Sequence, residues 1–207
     1  MQLTKAHAAA LQDILTWRRD VRHFRTDPIA PDRIARLRAA MDLAPSVGNA
    51  RPWRVMQVDT PATRAAVVAN FERANAAAAK AYTDDRRRAY DALKLAGLRE
   101  APVHLAVFTA DNPEEGHGLG RQTMPEMLSF STVCAIHSLW LAARADNIGT
   151  GWVSILDPVA LHATLAAPPH WQLTAYLCLG LPARTDDTPL LHRADWQENT
   201  ATPWQVV

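Results

Sequence analysis

Three arginines and an aspartate fall within one pentapeptide, Arg18-Arg19-Asp20-Val21-Arg22, the most informative group of chemically capable side chains in the sequence. Guanidiniums stay charged and offer forked donors, so such a group can clamp a phosphate. The plainer use of the same residues is a solvated basic turn, which is how Arg86-Arg87-Arg88 reads. Asp20 amid these cations is expected to ionise easily and to be held by them. It is open to two roles: a salt-bridge partner, or a proton-transfer group facing a ligand. A second segment, Ala44 to Trp53, contains Pro45, Ser46 and Gly48. Its small residues let a backbone approach a flat ring and turn N–H groups toward it, although an ordinary helix-to-strand loop has the same look. A third, Gly149-Thr150-Gly151-Trp152-Val153-Ser154, places a hydroxyl beside two glycines and an indole. It suits either a pocket lining or a plain strand.

Other chemistries find no footing. The eight histidines include no H-x-x-x-H pair, and the two cysteines lack zinc-ligand spacing, so no metal site is expected. No phosphate loop of the G-x-x-x-x-G-K type occurs, and the glycines at 116, 118 and 120 miss the dinucleotide fingerprint. His137, in a long apolar helix, reads as a core residue. Cys134 and Cys178 lie in apolar runs and read as buried thiols rather than a disulfide. A formal net charge of +1 gives nucleic acid no electrostatic foothold. The N-terminus lacks the apolar stretch of a secretory signal, and no run approaches about 18 apolar residues, so no membrane association is expected and the cytoplasm is the expected location.

These groups must be held by a scaffold, and 207 residues suffice for one domain spanning 1–207 with a full core. Leu11, Ile14 and Leu15 predict a first helix from about Ala8 to Trp17. Pro31 opens a second, which stops at Ala44-Pro45. Residues 61 to about 99 read as two helices broken near Thr83. A helix through about Asn147 begins at Pro125, apolar nearly all round, and belongs at the centre of the fold or of a dimer. Strands are expected at WRVMQV, APVHLAVFTA, GWVSI and WQLTAYLCLG. The 111–122 stretch is a long polar loop. Residues 182–207 form a C-terminal arm whose Trp196 and Trp204 call for a packing surface, with a partner subunit the natural candidate. Helices with strands far apart in sequence suit an α+β fold.

Taken together, RRDVRHF, APSVGNARPWR, GLGRQTMPEMLSFS, LWLAARADNIGTGWVSILDP and YLCLGLP resemble the nitroreductase-like flavoprotein family over essentially the whole chain. The resemblance implies a central, mostly antiparallel sheet flanked by helices, in an intertwined homodimer with FMN at the subunit interface. It implies FMN contacts from Arg18, Arg19, Asp20, Val21, Arg22, Pro45, Ser46, Gly48, Gly151, Trp152 and Ser154. Asp20 stands where ordinary members carry serine, and with Ser154 it matches the catalytic pair of a branch in which reduced FMN is the substrate. That branch breaks the flavin down with dioxygen and depends on a separate flavin reductase. A reductase that retains FMN and uses NAD(P)H, or a non-catalytic flavin-binding protein, are the alternatives. Two departures stand out. Ala50-Arg51 replaces the usual Ser-Gln, and Ala194 to Asn199 lacks the glycine and arginine that normally flank the tryptophan, leaving Arg193 as the phosphate ligand expected from the arm.

Overall fold

A computed structural model of the protein describes residues 1–206. Its centre is a four-stranded sheet in the order β1-β2-β4-β3, with antiparallel pairing throughout: β1 Trp53–Gln57, β2 Val103–Ala110, β3 Gly149–Val153 and β4 Trp171–Gly180. The inner strands β2 and β4 are apolar on both faces because both faces are covered. Val103, Leu105 and Val107 of β2, with Ala175, Leu177 and Leu179 of β4, join one core cluster. The alternate residues, Ala106, Phe108, Tyr176 and Cys178, point to the other side into a second cluster.

Helices α1 Lys5–Trp17, α2 Pro31–Asp42, α3 Pro61–Ala78, α4 Asp84–Ala92, α5 Met127–Ala145, α6 Pro158–Thr164 and α7 Leu190–Arg193 complete the fold. The α2, α3 and α6 helices each begin with proline at the first turn, where a missing N–H costs nothing. The first cluster unites α2 and α5 residues such as Leu37, Met41, Ile136 and Leu139 with the sheet. On the opposite face, Val67 of α3 and Leu161 of α6 close the second. The helical break near Thr83 and the Pro31 start fall where the sequence predicts them.

Three expectations are corrected. His137 and Cys134 are exposed, because α5 spends only one face on the sheet: Leu128, Thr132, Ala135, Ile136, Leu139 and Ala143 point inward. Phe130, Val133, Cys134 and His137 form the outward stripe. Cys178 is buried as expected, and both thiols are free. The strand read as GWVSI ends at Val153, whose pairing with Tyr176 is the last rung; Ser154 lies beyond it, exposed.

His104 of β2 is fully buried and hydrogen-bonded to the Tyr176 hydroxyl (Nδ1···O 3.0 Å). Burial lowers its pKa from 6.5 to about 4, with Arg64 adding to the shift. The folded protein therefore keeps this imidazole neutral while the unfolded chain protonates it, so the unfolded state binds more protons between pH 6.5 and about 4. Stability is complete above that window and falls as pH drops through it, by on the order of 3 kcal/mol at its lower end. His104→Gln, which retains a partner for Tyr176 but does not titrate, should flatten the dependence of Tm on pH across this range. An unchanged slope would show that His104 is not its source.

Candidate functional site

The Arg18–Arg22 segment leaves the C-terminus of α1 and runs beside the edge strand β3. Asp20 forms a parallel bridge with Thr150, and the Val21 N–H donates to the Thr150 carbonyl at 3.0 Å. The glycines of β3 make this approach possible. A Cβ on Gly151 would lie 2.2 Å from the Val21 carbonyl oxygen, and one on Gly149 would lie 2.9 Å from the Val21 side chain. Gly151 thus seats the arginine-rich segment against the sheet, and the segment covers an otherwise open strand edge.

Asp20 is tied down at both oxygens. Oδ1 accepts from the Trp152 N–H at 2.8 Å, and Oδ2 pairs with Arg22. Arg22 in turn donates to the Trp152 carbonyl at 2.8 Å, so carboxylate and guanidinium together hold the N–H and the C=O of one residue of β3. Burial pushes the Asp20 carboxyl above its ordinary pKa, although Arg22, the Trp152 N–H and Arg18 all pull it down. The direction of the shift is thus opposite to the lowering that the neighbouring arginines alone would give, because desolvation outweighs them.

Around this pair lies a cleft lined by arginines from three parts of the chain: Arg18, Arg19 and Arg22, then Arg144 of α5, then Arg184 and Arg193 of the C-terminal arm. Arg18 lies over the Trp140 ring, 4.8 Å from its centroid, and burial lowers its pKa. Arg193 pairs with Asp186 at 3.0 Å at the rim. Four buried polar atoms in this wall have no partner among the described residues: Arg19 Nε, Arg22 Nη1, Trp140 Nε1 and Thr150 Oγ1. Three are obligate donors and the fourth is a hydroxyl. Unsatisfied donors of this kind fit an anionic, acceptor-rich group such as the phosphate of FMN. Thr150, Trp140 and Arg144 were not singled out from the sequence. Only Thr150, within the glycine-bearing segment already noted, carried a local signal.

The Pro45–Gly48 loop is not among the residues lining the arginine cleft. It is anchored elsewhere: the Val47 N–H donates to Ser131 Oγ of α5 at 3.0 Å, and Ser46 Oγ accepts from the Arg51 N–H at 3.1 Å. Gly48 adopts φ +55°, and a Cβ there would meet the Leu119 carbonyl at 2.9 Å, so the loop leans on the 111–122 loop. Ser154 stands two residues beyond Trp152 at the end of β3 and lies outside the arginine cleft. In the arm, Trp196 rests on its own chain, 4.4 Å from the Arg86 guanidinium and edge-on to Tyr82, whereas Trp204 is 91% exposed. Among the described residues no cluster of metal-ligating side chains occurs, and no helix is long and apolar enough to cross a membrane.

Comparison with known proteins agrees with this architecture. A 5,6-dimethylbenzimidazole synthase of Rhodobacter capsulatus is 60% identical over 99% of both chains. One from Rhodospirillum rubrum is 51% identical over 93% of this chain and 92% of its own. Among solved structures, oxidised iodotyrosine deiodinase bound to FMN and 3-iodo-L-tyrosine superposes with a TM-score of 0.74. It shares 19% identity, with 95% of this chain and 97% of that one covered, a likeness of fold. The pattern of the nitroreductase family matches residues 15–181, which takes in the Arg18–Arg22 segment, the sheet and α5. With that match over most of the chain, and the α+β fold around the arginine cleft, this protein belongs to the nitroreductase family.

Proposed function

We propose that this protein is a 5,6-dimethylbenzimidazole synthase, consuming reduced FMN and dioxygen and releasing erythrose 4-phosphate, the oxidised pyrimidine portion of the ring, and 5,6-dimethylbenzimidazole for the lower ligand of cobalamin. The observation that carries this reading is Asp20, a carboxyl with raised proton affinity fixed among donor-rich arginines at the edge of β3. The full-length identity to synthases supports it. Bound FMN supplies an oxygen-reactive ring, and the chain supplies binding and proton transfer. Arg18, Arg19 and Arg22 hold the phosphate with Arg193 at the rim, and Thr150 offers a further hydrogen bond. The Asp20 carboxyl takes and returns protons, a task suited to a group whose proton affinity burial has raised. Ser154, with its side chain exposed and outside the arginine cleft, hydrogen-bonds the reacting ring from the far end of β3.

The working unit in this proposal is a homodimer. No residue of α1 is buried within the subunit, Leu11 and Trp17 are 50% and 40% exposed, and the α5 stripe with Phe130 and Val133 is likewise uncovered. A second copy is the natural cover for such apolar surface. The loop at Pro45, Ser46 and Gly48, standing apart from the arginine cleft, then serves the ring bound by the partner. The end of the arm near Trp204 packs on the partner in the same arrangement. Light scattering at micromolar concentration should give twice the subunit mass; a monomer would remove the basis for a shared site.

The deciding experiment is aerobic incubation with chemically reduced FMN, or with a separate flavin reductase, followed by mass spectrometry of small molecules. 5,6-Dimethylbenzimidazole above an enzyme-free control is expected. Intact FMN as the sole flavin product would overturn the proposal.

A further inference from the structure

Helix α3 has two fully buried residues, Val67 and Asn70, and the second is polar. A primary amide at 2% exposure needs partners for its oxygen and nitrogen, since leaving one unmade costs about 1–3 kcal/mol. Asn70 finds both on one residue: its Nδ2 donates to the Asp157 carbonyl at 3.0 Å, and its Oδ1 accepts from the Asp157 N–H at 2.8 Å. The two bonds fix the orientation of the amide, because turning it over would oppose donor to donor and acceptor to acceptor. Asp157 is itself the N-cap of α6, its Oδ1 accepting from the Val159 and Ala160 N–H groups at 3.0 Å each.

Ser154 lies between this clasp and the end of the sheet. On one side the ladder stops at the Val153–Tyr176 rung. On the other, three residues on, Asp157 is held by Asn70. Between them the Leu156 N–H donates to the Ser154 carbonyl at 3.0 Å, closing a tight turn. The Ser154 side chain is exposed. Its placement therefore depends on two backbone anchors, of which Asn70 is the one supplied by another helix.

We infer that Asn70 is a positioning residue for the reaction: by clasping Asp157 it holds the turn that presents Ser154 to the flavin. The inference rests on the proposed function, in which Ser154 meets the reacting ring. It involves no contact between Asn70 and the ligand, and Asn70 lies outside the arginine cleft. The expected signature is accordingly a loss in turnover without a matching loss in binding. Displacing a group by about 1 Å can cost up to about 100-fold in rate while the rest of the ligand contacts survive.

The test uses the full chain with Asn70→Asp, which keeps an acceptor for the Asp157 N–H but sets a carboxylate oxygen against its carbonyl. Asn70→Ala serves if that variant does not fold. Hydrogen–deuterium exchange should quicken at residues 154–157 while the β2 and β4 amides stay protected. Formation of 5,6-dimethylbenzimidazole from reduced FMN should fall roughly 10- to 100-fold, with the FMN dissociation constant moving less than about threefold. In a Ser154→Ala background the Asn70 substitution should lower product formation no further, since both changes act on the same group. Unchanged exchange at residues 154–157 overturns the inference, as do losses that multiply in the double variant. A wild-type protein that yields no 5,6-dimethylbenzimidazole instead overturns the proposed function, and the exchange data still decide whether Asn70 holds the turn.

Discussion

Asp20→Asn should abolish most 5,6-dimethylbenzimidazole formation, by about 10²-fold or more, while leaving FMN bound. Asparagine has nearly the same shape and can still accept the Trp152 N–H through its side-chain oxygen, so the bridge to β3 survives. What it cannot do is take up a proton. The pH dependence gives a second reading of the same substitution. Burial raises the Asp20 pKa, so the carboxylate that accepts protons is present above this raised value and disappears as pH falls through it. Wild-type product formation should thus show an acid limb displaced upward from that of an unperturbed aspartate, and the asparagine variant should lack it. Product yields by chromatography across pH, alongside flavin fluorescence titrations, measure both. A variant yielding product at the wild-type rate would reduce Asp20 to a salt-bridge partner of Arg22.

The second large effect is expected at Arg22. Its side chain is 15% exposed, it bridges Asp20 and the Trp152 carbonyl, and its Nη1 has no partner among the described residues. Arg22→Met removes the strongest influence that lowers the Asp20 pKa and leaves the raising effect of burial less opposed. The acid limb should move upward, toward neutral pH. FMN affinity should fall by about 10- to 100-fold, the scale for losing a charge-assisted hydrogen bond with its partner left behind. Arg22→Lys should recover part of the affinity but not the wild-type pH profile, because an ammonium restores the charge without the planar group whose Nη2 holds both Asp20 and the strand carbonyl while Nη1 stays open for a ligand. An affinity and an acid limb both unchanged in Arg22→Met would place the guanidinium outside the site.

Much of this molecule can be read from its sequence where local chemistry is decisive. Pro31, Pro61 and Pro158 start helices because a first-turn proline lacks only an N–H that would go unused. The runs VHLAVFTA and WQLTAYLCLG are apolar on both faces, as strands covered on both sides must be. Arg18, Arg19, Asp20 and Arg22 stand out as a carboxylate set among arginines, and the family follows from several spaced motifs together. What the tertiary structure decided depends on neighbours far along the chain. An apolar helix does not record which side its own sheet will cover, so Cys134 and His137 turned out to face outward. A strand ends where its chain leaves the ladder, and β3 turns away after Val153 although β4 runs on to Trp171, which left Ser154 outside the sheet. Proton affinity depends on the water excluded by the whole fold, so arginines adjacent in sequence predicted the wrong direction for Asp20. Asn70 gave no signal at all: one amide in an alanine-rich helix acquires its role only when Asp157, 87 residues later, folds back against it.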